Sequence, residues 1–147
     1  MNNAALSNKD DLTILLVDDD DLDAMAVERM LNKLDAPPKL VRVCNGYQAL
    51  EKLQTQTKQS VQPPYLVLLD LNMPKMNGIE FLAEVRKDPK LHASVIFVLT
   101  TSSADQDKVA AYGNHIAGYI VKSEVGPDYN RLANMLDHYR NTISLLH

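Results

Sequence analysis

Four short runs of consecutive apolar residues, at 14–17, 66–69, 95–99 and 117–121, recur along this 147-residue chain and restrict what it can fold into. Runs of this length without polar alternation suit strands covered on both faces, as in a parallel sheet sandwiched between helices. A fifth stretch, 40–43, is interrupted by Arg42 and fits the edge of such a sheet better than its centre.

Segments with helical period separate the runs. Leu22, Met25, Ala26, Met30, Leu31 and Leu34 fall near one face of a first helix. Leu132, Leu136, Tyr139 and Ile143 repeat at helical spacing in a last one, about 128–146. Asn45 with Gln48, Asn77 with Glu80 and Ser103 with Gln106 have the spacing of capping pairs, and Asp20 or Asp21 is placed to cap the first helix. Pro127 suits a first helical turn, and Pro37-Pro38 should end the first helix before the edge strand. Strand then helix, five times over, predicts an α/β fold with right-handed crossovers and helices on both faces of a parallel sheet.

In open sheets of this kind functional groups gather beyond the carboxyl ends of the strands. Asp18 to Asp21 follow the first run, Asp70 the second, Thr100-Thr101-Ser102 the third and Lys122 the last. Carboxylates crowded together must take up protons or hold a cation. Hard oxygens with no neighbouring histidine or thiolate favour Mg²⁺ over zinc. Beside such a metal, Asp70 can act as a nucleophile toward phosphorus, with Lys122 and Thr100 supporting the phosphoryl oxygens.

Taken singly these residues have plainer readings. An aspartate run is usually a solvated turn or cap, Lys122 a surface lysine, and Thr100 a strand-end hydroxyl satisfied by backbone. The combination is what raises them. A calcium-binding loop is excluded, because starting at Asp18 or Asp19 puts Asp23 or Ala24 where glycine is needed and Arg29 or Met30 where glutamate is needed. His92, His115, His138 and His147 have no metal-ligand spacing, and Cys44 reads as a small packed side chain.

The segments 14–19, 68–78, 98–100 and 118–122, with Asp18-Asp19, Asp70-Leu71-Asn72-Met73-Pro74 through Gly78, Thr100 and Lys122, resemble the receiver domain of two-component response regulators. The resemblance spans 12 to about 145. It implies a flavodoxin-like sheet of strand order 2-1-3-4-5, with 1–11 a flexible leading segment and 12–147 the receiver domain. It further implies that Asp70 accepts a phosphoryl group from a histidine kinase or histidine phosphotransfer protein. Asp18, Asp19, Asp70 and the backbone carbonyl of Asn72 would bind Mg²⁺. Thr100 would move toward the phosphate and Tyr119 would turn inward, while Asn72 and Ser102 would modulate phosphate lifetime.

Receivers commonly carry proline after the lysine, and here Ser123 follows Lys122, which puts a cis peptide there in doubt. The Thr100-Thr101-Ser102 run, Lys122-Ser123 and Asp23 are similar to the single-domain regulators that serve bacteriophytochrome kinases. That likeness implies a phytochrome-linked donor and a homodimer through the fourth helix, fifth strand and fifth helix, with a downstream protein as target. The family is regulatory, not enzymatic beyond self-phosphorylation and self-dephosphorylation. Two alternatives remain: a pseudo-receiver that only docks partners, and a small aspartate-nucleophile phosphatase, suggested by Asp18 and Asp20 at a strand end.

Net charge −4 gives no footprint for nucleic acid, and no partner of that kind is expected. No window reaches the length of a membrane span, and the first eleven residues lack the features of a signal peptide, so a cytoplasmic place is expected.

Overall fold

A computed structural model of the chain describes residues 12–55 and 60–143. The leading segment 1–11 and residues 144–147, which include the end of the expected last helix, lie outside the described residues. Five parallel strands, β1 (Thr13–Val17), β2 (Lys39–Val43), β3 (Tyr65–Leu69), β4 (Ile96–Thr100) and β5 (Gly118–Val121), form one sheet of order β2-β1-β3-β4-β5. Helices α1 (Asp21–Asn32), α2 (Gly46–Gln54), α3 (Gly78–Lys87), α4 (Asp105–Tyr112) and α5 (Asn130–Thr142) alternate with the strands.

The apolar runs become strands because both faces of the sheet are covered. All five residues of β1 and of β4 are buried, and side chains alternate between two cores. Leu15, Val17, Val67 and Leu69 pack on one side with Phe81, Leu82 and Val85 of α3. Ile14, Leu16, Leu66 and Leu68 pack on the other with Val27, Met30 and Leu31 of α1 and Leu132 and Leu136 of α5. β2 lies at the edge, with Lys39 exposed and only Val43 fully buried, as the interrupting Arg42 indicates.

Three of the expected caps form. Asp20 accepts from the backbone N–H of Asp23, Asn45 from that of Gln48, and Asn77 with Glu80 makes a reciprocal capping box. The Ser103–Gln106 pair does not cap. α4 starts one residue later, after Ala104, and it is Ser102 whose hydroxyl accepts from the Ala104 N–H at 3.3 Å and donates to Asp107 at 2.6 Å.

Two helix faces also differ from the sequence reading. In α1 the buried stripe is Ala24, Val27, Met30 and Leu31, whereas Leu22 and Met25 are 77% and 53% exposed. The helix ends at Asn32, before Pro37-Pro38. In α5 the buried stripe includes Arg140, which donates to the carbonyl of Ala36 and to Asp137, while Ile143 caps the helix and is exposed. Pro127 opens a 3₁₀ turn, 127–129, ahead of α5.

Gly78 fixes how closely α3 approaches the end of β3. Its N–H donates to the Leu71 carbonyl at 3.0 Å, and a Cβ there would stand 2.6 Å from the Asp70 carbonyl oxygen and 2.7 Å from Leu71 Cα. Both obstacles are backbone, so neither can rotate away. Gly78→Ala is expected to lower unfolding free energy by about 1–3 kcal/mol in urea titrations, the usual cost of overpacking, with the denaturant slope unchanged.

Candidate functional site

The ladder of the sheet runs on past the strands and presents the next residues side by side. The N–H of Asp18 donates to the Val43 carbonyl at 3.0 Å, and that of Asp70 to the Val17 carbonyl at 2.9 Å. Adjacent parallel strands in register thus bring two carboxylates that are 52 residues apart in sequence to one rim. Asp18 is 1% exposed and Asp70 7%, while Asp19 turns toward solvent. Oxygens of these three carboxylates lie within 4.8 Å of one another.

From β5, Lys122 reaches the same rim. Its Nζ stands 2.8 Å from Asp18 Oδ2, 2.6 Å from Asp23 Oδ2 and 3.5 Å from Asp70 Oδ2. Burial works against the charge on Lys122, but the hydrogen bonds to Asp18 and Asp23 outweigh it and raise the ammonium above its ordinary value. The Asp18 carboxyl is also raised, by burial, which its hydrogen bond from Lys122 only partly offsets. The two directions have opposite senses: pairing outweighs burial at Lys122, and burial outweighs pairing at Asp18.

A cavity of about 480 Å³ opens over this cluster, lined by Asp19, Asp20, Asp21, Leu22, Asp23, Asp70, Asn72, Thr101 and Lys122. Volume for several waters, at about 30 Å³ each, leaves room for a hydrated cation beside an anionic group. The donor set is made of hard oxygens without nitrogen or sulfur, which suits Mg²⁺. Asn72 lies at the cavity wall, its N–H donating to Asp70 Oδ1 at 3.3 Å.

The other expected residues sit further back. Thr100 is completely buried at the end of β4, with its Oγ1 accepting from the Ser102 N–H at 3.4 Å, and the next residue, Thr101, is the one at the cavity wall. Tyr119 donates to the Ser102 carbonyl at 2.9 Å, with Lys108 Nζ 5.9 Å from its ring centroid. Burial raises the Tyr119 hydroxyl pKa above its ordinary value, which already lies well above neutral, and the protonated phenol is the donor. The Lys122–Ser123 peptide is trans, and residues 122–124 form a 3₁₀ turn that makes no use of a proline.

Two site residues escaped the sequence reading. Asp23 entered it only as a family likeness, but its carboxylate makes the shortest contact to Lys122. Arg42, read only as a strand-edge residue, donates from Nε to the Asp18 carbonyl at 2.9 Å and from Nη1 to Asp21 at 2.8 Å, clamping the acidic turn to β2. The helical offset of Asp23 from the Asp20 cap was the available signal for the first; no local pattern announced the second.

Comparison with known proteins agrees with this geometry. Residues 14–136 match the response regulator receiver domain. The probable methanogenesis regulatory protein FilR2 of Methanothrix harundinacea is 33% identical over 91% of this chain and 86% of its own length. Response regulator Rcp1 of Synechocystis is 35% identical over 86% of each chain. The structure of the Mn²⁺-bound form of Rcp1 superposes with a TM-score of 0.80 at 33% identity, covering 92% of this chain and 99% of the other. That of the phosphorylated cyanobacterial phytochrome response regulator RcpA superposes with a TM-score of 0.78 at 29% identity, covering 92% and 98%. A flavodoxin-like sheet with an acidic, lysine-bearing rim defines the class, a signalling receiver. The chain belongs to the response regulator receiver domain family of two-component systems. No helix among the described residues is long and apolar enough to cross a membrane.

Removing the Lys122 ammonium leaves buried carboxylates unpaired. Lys122→Met is therefore expected to lower unfolding free energy by about 3 kcal/mol in chelator-treated protein. Millimolar Mg²⁺ should recover part of that loss, because a cation bound only to the folded state stabilises it. Equal stability of mutant and wild type in urea would contradict this account.

Proposed function

We propose that this chain is a phosphoacceptor switch in which Asp70 receives a phosphoryl group from phosphohistidine on a histidine kinase or histidine phosphotransfer protein. The observation that carries the reading is the convergence of Asp18, Asp19 and Asp70 oxygens within 4.8 Å of one another, with the Lys122 ammonium on Asp18 and Asp70, beneath an open cavity. Asp18, Asp19, Asp70 and the Asn72 carbonyl would hold Mg²⁺, which supplies charge neutralisation at the phosphoryl oxygens when bound.

The residues of the chain divide the remaining work. A carboxylate oxygen of Asp70 forms the new bond to phosphorus as the phosphorus–nitrogen bond of the donor breaks, and the imidazole leaves with its bonding electron pair. Lys122 stabilises the added negative charge, and the Asn72 N–H already orients the Asp70 carboxylate. Thr100 contributes its hydroxyl to the phosphorylated state and Tyr119 transmits it, through the segment 100–104, to the surface of α4, β5 and α5. Exposed Val109 and Tyr112 on α4 offer that surface apolar contact area for a downstream protein or a second copy. The phytochrome response regulators among the relatives favour a phytochrome-linked donor.

Incubation with acetyl phosphate tests the reading. The expected product is an acid-stable, base-labile phosphoryl group whose formation needs Mg²⁺ and is lost in Asp70→Asn. Undiminished labelling of that variant would overturn the assignment. Absence of labelling in the wild type would favour a docking module, and sustained phosphate release from many phosphomonoesters would favour a phosphatase.

A further inference from the structure

The Lys122 ammonium has three N–H donors and three carboxylates around it, and it shares them unequally. Asp23 at 2.6 Å and Asp18 at 2.8 Å hold it off-centre, with Asp70 at the outer limit of a hydrogen bond, 3.5 Å. A phosphoryl group on Asp70 would bring oxygens that require the same donor. Resting on the phosphoacceptor reading, we propose that Asp23 is a positioning residue that competes with the phosphoryl group for Lys122, so that phosphorylation exchanges the Asp23–Lys122 ion pair for a Lys122–phosphoryl contact.

Solvation decides which pair breaks. The Asp18 side chain is 1% exposed, and releasing it from Lys122 would strand a carboxylate in the protein interior. The Asp23 side chain is 28% exposed and borders the open cavity, so water can replace Lys122 as its partner. Asp23 is also rigidly presented. Its backbone N–H is held by the Asp20 cap in the first turn of α1, which fixes where its side chain leaves the backbone at the rim, and the carboxylate itself is held by Lys122. The hold on Lys122 thereby sets a threshold that a phosphoryl group must exceed.

The competition has a measurable sign. Asp23→Asn should tighten binding of beryllofluoride, a phosphoryl mimic, by about fivefold in the presence of Mg²⁺, the scale of losing one partly exposed ion pair. Asp21 supplies the control, because it lines the same cavity but pairs with Arg42. Asp21→Asn removes the same charge and should shift binding less than twofold, and Asp23→Glu should return affinity toward the wild-type value.

A second readout needs neither metal nor anion: Lys122 ammonium protons, followed by nitrogen-15 magnetic resonance, should exchange with water faster in Asp23→Asn than in wild type. Equal tightening by Asp21→Asn and Asp23→Asn would reduce the effect to general charge and overturn the competition. Weaker binding by Asp23→Asn, or unchanged Lys122 exchange, would overturn it as well. Failure of the underlying phosphoacceptor reading shows elsewhere, as beryllofluoride binding that survives Asp70→Asn.

Discussion

Asp18 and Asp70 carry carboxylates to nearly dry positions at one rim of the sheet, and the Lys122 ammonium between them is what makes that arrangement tolerable. Two like charges at this separation repel, and burial raises the cost of each. One cation from the far strand answers both, and Asp23 adds a third carboxylate on the solvent side. The site is therefore a charge cluster with carboxylates in excess of its one ammonium, and a bound metal or an added phosphoryl group must change its pairing. The switching role proposed for the chain needs partners that can be exchanged, because a group already satisfied by rigid neutral partners would have nothing to exchange.

The sheet makes the cluster possible by keeping strict register. β1 pairs with β3 so that Val17 lies opposite Leu69, and the next residue on each strand is a site aspartate. β4 pairs with β5 so that Thr100 lies opposite Val121, which places Lys122 one step beyond the buried hydroxyl. A slip of one residue in either pair would turn these side chains to the wrong face. The apolar cores on both sides of the sheet hold the register, so the chemistry at the rim depends on packing well away from it.

The opposite end of the molecule is tied by polar contacts of a different kind. The Arg86 guanidinium donates to the carbonyls of His92, Ser94, Asn114 and His115, joining α3 to the segments that lead into β4 and β5. Burial lowers its pKa, yet it stays charged, as a guanidinium does. Arg140 joins α5 to the turn after α1 in the same way. Two arginines thus satisfy loop carbonyls that no strand or helix pairs.

Composition and pattern by themselves determined the five strands, their parallel arrangement, three helix caps and the carboxylates and lysine of the site, since strand ends in this architecture can be read from where apolar runs stop. The resemblance to receivers supplied the strand order and the roles proposed for the site residues. Tertiary structure alone decided which face of α1 is buried, because Leu22 and Met25 are as apolar as Val27 and only the position of the sheet separates them. It also decided that Ser102 rather than Ser103 serves the start of α4, and that Thr101 rather than Thr100 borders the cavity. Above all it decided the partners of Lys122. An ammonium on a flexible stem can reach any carboxylate within several ångströms, and sequence spacing carries no information about contacts spanning 99 and 104 residues.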